Sequence, residues 1–222
     1  MINKICPSPE EAVKSITDGA VLFLGGFINC GFADDLLDAL YAQGTVGLTT
    51  ISNNPSVGER GMTRLLQDGR ISRMICSYSR KPGTSLIEDL IDAGQLALDI
   101  IPQGTIAEAI RCNGAGIPGF YTRTGVGTPL AKGKEHRDFD GVTYIFEPAL
   151  HADFALVRAL RGDRWGNLVY DKAARNFNPV MAMSKAFTIA QVDEIVTTGE
   201  LSPEHIITPG IFVQQIVRSR KT

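Results

Sequence analysis

Three short segments of this sequence carry groups that could do chemistry. Gly25-Gly26-Phe27-Ile28-Asn29-Cys30-Gly31 is a glycine-flanked stretch that directly follows an apolar run. Gly25, Gly26 and Gly31 place no side chain between the backbone and a guest, so exposed N–H groups there could face a large anionic ligand. The same glycines also fit a strand-to-helix turn packed tightly for its own sake, and the residues alone leave both readings open. Ser52-Asn53-Asn54 and Pro102-Gln103-Gly104-Thr105 add uncharged amide donors. Asn53 and Asn54 also suit turns, and Thr105 could cap a helix. Gln103, between Pro and Gly, offers no local backbone cap, which favours a role for its side chain.

Other chemistries find no anchor. His136, His151 and His205 stand alone, with no paired His or Cys at metal-ligand spacing, so no metal is expected and each reads as a surface or hydrogen-bonded structural residue. No G-x-S-x-G elbow occurs to seat a hydrolase nucleophile. Gly114, Gly116 and Gly119 have the G-x-G-x-x-G spacing. That motif must follow a strand and open a helix, whereas here a helical stretch from Thr105 to Arg111 precedes it and Pro118 blocks a helix afterwards. The segment from Gly114 to Thr128 is expected instead as a long ordered loop near the site mouth. Gly133-Lys134 is followed by Glu135, so no P-loop is present. Glu88, Glu108 and Glu147 fall in ordinary helix or strand contexts. Arg175-Asn176-Phe177-Asn178-Pro179 is expected to brace a loop or a subunit interface.

The elements that must position these groups alternate as repeated strand–helix units. Helices are expected at Pro9 to Thr17 with Ser8 as N-cap, from Asp34 through Leu40, at Glu59 to Asp68 and at Ser85 to Ala93. Strands are expected at Val21 to Leu24, Val46 to Ile51, Arg73 to Tyr78 and Leu96 to Ile101, then at Thr143 to Glu147, Ala152 to Arg158 and Glu194 to Thr198. Strands separated by helices pair in parallel with right-handed crossovers. The expected fold class is therefore α/β, a single domain over residues 1–222 with a mainly parallel open sheet flanked by helices. Ligands of such a sheet sit beyond the carboxyl ends of the strands, where the two amide segments fall.

Composition narrows the function classes. The 222 residues are 44% hydrophobic, enough for a full core, and the net charge of -2 argues against a nucleic-acid surface. No apolar run approaches the ~20 residues of a membrane helix, and the N-terminus lacks the apolar stretch of a secretory signal. Cys6, Cys30, Cys76 and Cys112 form no Cys-x-x-Cys pair and are expected to stay reduced, as in the cytoplasm, with Cys30 a small buried filler.

The pattern Asp18-Gly19, two free positions, three apolar residues, Gly25-Gly26-Phe27, three free positions and Gly31 resembles the glycine-rich signature of the A subunits of family I coenzyme A transferases. One departure is Ala33, where that family usually has Pro, which would fix φ at the helix entry. The resemblance extends through Ser52 to Asn54, Pro102 to Thr105, Gly114 to Pro118, Glu147 to Leu150, Ala174 to Pro179 and Thr208 to Val213, all similar to A subunits of 3-oxoacid CoA-transferases.

This resemblance implies covalent catalysis by a glutamate that forms an acyl anhydride and then a glutamyl-CoA thioester, with ping-pong kinetics. That glutamate belongs to a Ser-Glu-Asn-Gly motif on a B subunit, and no such motif occurs here. The chain thus resembles half an active site, working in an A2B2 heterotetramer with a coenzyme A thioester as substrate and no resident cofactor. By the motif match, Gln103 would be the catalytic oxyanion donor. Gly25, Gly26, Phe27, Ile28, Asn29, Cys30 and Gly31 would contact CoA, and Asn53 and Asn54 would line the acyl pocket. The implied donor is succinyl-CoA and the implied acceptor 3-oxoadipate, with acetoacetate or a short-chain fatty acid as the alternative. Arg123 could meet an acceptor carboxylate. Two rivals are a sugar-phosphate isomerase, which needs its own acid/base carboxylate, and a sugar-phosphate-sensing regulatory domain.

Overall fold

The strand–helix alternation builds the parallel sheet it implies. A computed structural model describes residues 2–80 and 83–220. The chain begins with α1 (Pro9–Val13), β1 (Val21–Leu24), α2 (Asp34–Gln43), β2 (Leu48–Ile51), α3 (Met62–Gln67), β3 (Ile71–Cys76), α4 (Leu86–Asp92) and β4 (Ala97–Ile100). It continues through α5 (Gln103–Ala115), β5 (Gly119–Thr122), β6 (His136–Phe139) and β7 (Val142–Pro148). Last come β8 (Phe154–Asp163), β9 (Leu168–Val169), α6 (Asn178–Ala182), β10 (Phe187–Val196) and β11 (Gln215–Arg218).

The main sheet runs in the order β11-β10-β8-β1-β2-β3-β4, and β9 pairs with β8. Every pairing along that path is parallel, and only β9 runs antiparallel. Alternation along each strand divides the core between its two faces. Leu22 and Leu24 pack with Leu36, Leu40 and Leu65 of α2 and α3 on one face. Phe23 packs with Ile106, Ile110 and Met181 of α5 and α6 on the other. This is the expected α/β class, with helices on both faces of a mainly parallel sheet.

Three local differences set the structure apart from the expected elements. Helix α1 stops at Val13, four residues short of Thr17, although Ser8 caps it as expected, accepting from the Glu11 N–H at 3.2 Å. Strands β8 and β10 are longer than expected. Polar Gln191, Asp193 and Glu194 interrupt the apolar pattern of β10, yet Gln191 is buried. Its Oε1 accepts from Asp35 and Leu36 N–H at 3.0 and 3.3 Å, capping α2, which has no side-chain cap at Ala33. The segment from Gly114 to Thr128 is not one long loop. Helix α5 runs on to Ala115, Gly116 ends it at φ +73°, and β5 joins a separate antiparallel sheet in the order β5-β7-β6. Gly119 permits that sheet, because a Cβ there would run into Phe146 and the Glu147 carbonyl.

Candidate active site

The glycine segment leaves β1 at the centre of the sheet. Gly25 N–H still donates to Leu156 O at 3.1 Å, and a side chain there would collide with the Asn178 carboxamide. Gly26 sits at φ +141° against the Phe32 ring, with its N–H on Asn176 Oδ1 at 3.1 Å. Phe27 and Cys30 then exchange backbone hydrogen bonds of 3.0 and 2.9 Å, closing a tight turn with Ile28 and Asn29 at its tip. Ile28 has φ +56°, an expensive conformation for a β-branched residue. Asn54 holds it there on both sides: Ile28 N–H donates to Asn54 Oδ1 at 2.8 Å, and Asn54 Nδ2 donates to Ile28 O at 3.1 Å.

The Arg-Asn-Phe-Asn-Pro segment is the second brace. Asn176 Nδ2 donates to Cys30 O at 3.0 Å, and Asn178 Nδ2 donates to Gly31 O at 3.0 Å. Asn178 Oδ1 accepts from Arg158 N–H at 2.8 Å, tying the brace to β8. These bonds narrow one expectation. The N–H groups of Gly25, Gly26, Phe27, Ile28 and Cys30 are donated within the protein, so they do not face an anionic guest. At Gly25, Gly26 and Gly31 the absent side chain makes room for Asn178, Phe32 and the Ala174 carbonyl. What the segment presents outward is Phe27 and Ile28, 37% and 55% exposed.

Asn53, Asn54 and Gln103 come together beyond the ends of β2 and β4. Both asparagines are buried. Asn53 Oδ1 accepts from Gln103 Nε2 at 2.7 Å and from Ser77 Oγ at 2.8 Å, and its Nδ2 donates to Asn54 Oδ1 at 3.1 Å. A continuous amide chain therefore runs from Gln103 through Asn53 and Asn54 to Ile28. Gln103 is the first residue of α5, two residues before the expected helical stretch, and its side chain is exposed. Thr105, expected as a possible cap, is buried inside the first turn.

This chain of amides borders a cleft of about 450 Å³. Phe27, Ile28, Val57 and Tyr78 supply its apolar wall, and Asn53, Asn54, Ser77, Gln103 and Arg80 its polar one. Phe27 and Gln103 also border a neighbouring hollow of about 360 Å³, with Asn176 and Phe177. No carboxylate lines either space among the described residues. Glu108 is engaged by Arg111, whose hydrogen bond lowers the carboxyl below its ordinary range, and Glu147 is buried against Lys134 Nζ at 2.6 Å. No cluster of His, Cys, Asp and Glu among the described residues could hold a metal ion. No helix among them is long and apolar enough to cross a membrane.

Some sequence-predicted residues lie elsewhere. Arg123 is in the turn after β5 and does not line the cleft. Cys30 is exposed, not a buried filler, because its turn projects from the sheet. With Asn29 and Gly31 it borders a separate hollow of about 250 Å³ beside Arg158 and Asp193. Ser77, Tyr78 and Arg80 carry no motif of their own in the sequence, although the strand-end rule that locates Asn53 and Gln103 applies equally to the residues after β3.

The model of the coenzyme A transferase family matches residues 7–219. The chain is 51% identical to the A subunit of a 3-oxoadipate CoA-transferase from Pseudomonas putida over 217 residues, 98% of this chain and 94% of that one. It is 47% identical to the A subunit of a probable succinyl-CoA:3-ketoacid coenzyme A transferase from Bacillus subtilis, over 97% of this chain and 90% of that one. Among solved structures, an acyl-CoA transferase apoenzyme from Escherichia coli O157:H7 superposes with a TM-score of 0.85 at 25% identity. That match covers 98% of this chain and 47% of the other, so this chain spans about half of that longer one. Fold, family match and near-full-length relatives agree: the chain belongs to the coenzyme A transferase family and aligns with its A subunits.

Proposed function

We propose that this chain is the A subunit of a 3-oxoacid CoA-transferase that moves CoA from succinyl-CoA to a 3-oxo acid, with 3-oxoadipate as the acceptor. The observation that carries the proposal is the cleft itself. It has an apolar wall, amide donors and a cation, but no carboxylate among the described residues that could serve as nucleophile. A lone isomerase would need such a carboxylate in its own cleft. The names of the similar P. putida and B. subtilis chains, both A subunits, support a partner subunit that completes the site.

In this proposal residues 1–222 act as one domain, paired in an A2B2 assembly with a B subunit whose glutamate attacks the acyl-CoA carbonyl. The thiolate leaves, the acyl-glutamyl anhydride forms, and the thiolate then attacks the glutamyl carbonyl to release the acid and give glutamyl-CoA. The acceptor acid reverses both steps, so the thioester energy is retained. Each attack places negative charge on a carbonyl oxygen, and Gln103 is the donor that meets it. One Nε2 hydrogen is committed to Asn53 Oδ1 at 2.7 Å, which orients the carboxamide and leaves the second hydrogen for the oxyanion. Asn53 is thus a positioning residue, while Asn54 supports the turn that carries Phe27 and Ile28 to the apolar wall of the cleft. The free thiols of Cys6, Cys30, Cys76 and Cys112 fit a cytoplasmic location.

Gln103→Ala tests this. The exposed side chain can be removed without opening the core, so the variant is expected to fold, pair with its partner and bind CoA while turnover falls about 10²–10³-fold. Near-normal turnover would remove Gln103 from the mechanism.

A further inference from the structure

We infer that Arg80 binds a carboxylate at the far end of the acyl chain, which makes dicarboxylic acyl groups the substrate class of the Gln103 cleft. This rests on the transferase reading above and adds to it the feature that selects the acyl group. Among the described residues lining the cleft, Arg80 alone carries a charge. No ion pair engages Arg80 among the described residues, whereas Arg60, Arg73, Arg111 and Arg158 each hold a carboxylate. The chain between β3 and Arg80 supplies Ser77 and Tyr78 to the same cleft, and Arg80, itself exposed, lines it with them. Gln103 enters from the end of β4, the neighbouring strand.

The cleft therefore offers an amide donor on one strand end, an apolar stretch formed by Phe27, Ile28, Val57 and Tyr78, and a cation on the next strand end. A thioester oxygen, a methylene chain and a terminal carboxylate are the groups complementary to these three. A guanidinium meets a carboxylate with two parallel charge-assisted hydrogen bonds, which a neutral acyl terminus cannot accept. In a ping-pong reaction donor and acceptor acyl groups use one cleft in turn. Succinyl and 3-oxoadipyl groups both end in a carboxylate, so a single Arg80 serves both half-reactions. Arg123, outside the cleft, takes no part.

The phosphates of CoA are a second anionic group that a guanidinium could hold, and the test separates the two. In the enzyme assembled with its partner, kcat/KM is measured for succinyl-CoA and for acetoacetyl-CoA as donors, in wild type, Arg80→Gln and Arg80→Lys. CoA is common to both donors, and only succinyl-CoA has a distal carboxylate. Arg80→Gln is expected to lower the succinyl-to-acetoacetyl preference about 10–100-fold, the range for losing hydrogen bonds to a charged group. Arg80→Lys is expected to recover part of that preference. An equal loss with both donors would assign Arg80 to the CoA phosphates or to folding, and would overturn the inference. An unaltered preference would overturn it too. A wild-type enzyme that transfers CoA from acetoacetyl-CoA and not from succinyl-CoA would sink the inference and the proposed succinyl-CoA donor while leaving the CoA-transferase activity itself intact. A wild type inactive with both donors would sink both.

Discussion

Replacing Asn54 by Ala probes how the cleft wall is held. Asn54 is buried, and its carboxamide makes three hydrogen bonds: two with the Ile28 backbone at 2.8 and 3.1 Å, and one from Asn53 Nδ2 at 3.1 Å. At about 1 kcal/mol net each, their loss costs ~3 kcal/mol. Part of this returns if Ile28, at φ +56°, relaxes to a negative φ, since the left-handed conformation costs a β-branched residue roughly 1–2 kcal/mol. The net expectation is a loss of about 2 kcal/mol, or a Tm lower by roughly 4–8 °C for a chain of this length. Relaxation of the turn also moves Phe27 and Ile28 off the cleft, so turnover falls as well. Urea or thermal unfolding reads the first effect, and steady-state kinetics of the assembled enzyme reads the second. A second variant separates them. Adding Ile28→Gly to Asn54→Ala lets the turn keep its positive φ without strain, so activity should recover in part, through Phe27 and without the Ile28 side chain, while stability stays low. An Asn54→Ala protein with wild-type Tm and activity would refute the reasoning, as would a double variant that recovers no activity.

Two further predictions concern titratable groups. Burial pushes the Asp34 carboxyl above its ordinary range, with Arg60 pulling it partly back. The folded state then binds the proton more tightly than the unfolded state, so stability falls as pH rises through that window and the penalty is complete above it. Asp34→Asn should therefore raise the Tm at pH ~7 and lose that gain below the ordinary carboxylate pKa of about 3.9; a gain that persists in acid would contradict this. Cys30 is exposed, whereas burial pushes the Cys76 thiol up to about 11. Brief alkylation of the native chain at neutral pH should label Cys30 well before Cys76, and peptide mapping that finds Cys76 labelled as fast would count against the structure.

Local signals carry much of the fold and part of the site. Val21 to Leu24 is legible as a buried strand because it is short, apolar and bounded by glycine, and the structure places β1 at those residues. Asn53, Asn54 and Gln103 are legible by position, since parallel strands put ligand groups at their carboxyl ends. What the sequence hides depends on distant partners. Asn176 meets Gly26 across 150 positions, and Gln191 caps α2 from 156 positions away. No local pattern announces such pairs, so from sequence β10 is expected only from Glu194 to Thr198 and the glycine N–H groups are left open between two readings. Arg80 has no signal beyond following β3, because an exposed Arg in a loop looks solvated until its neighbours Tyr78, Val57 and Gln103 are known. The antiparallel sheet of β5, β6 and β7 is obscured by the glycine-rich stretch that feeds it.

If this chain is half a site, the nucleophilic carboxylate lies outside it, and the covalent intermediate shows where. The chain is assembled with its partner, an acyl-CoA is added without acceptor, the reaction is quenched, and each denatured polypeptide is weighed by mass spectrometry. A covalent CoA adduct is expected on the partner alone, at a glutamate, with this chain at its unmodified mass. An adduct on this chain would contradict the half-site description, because a carboxylate of this chain would then be the nucleophile.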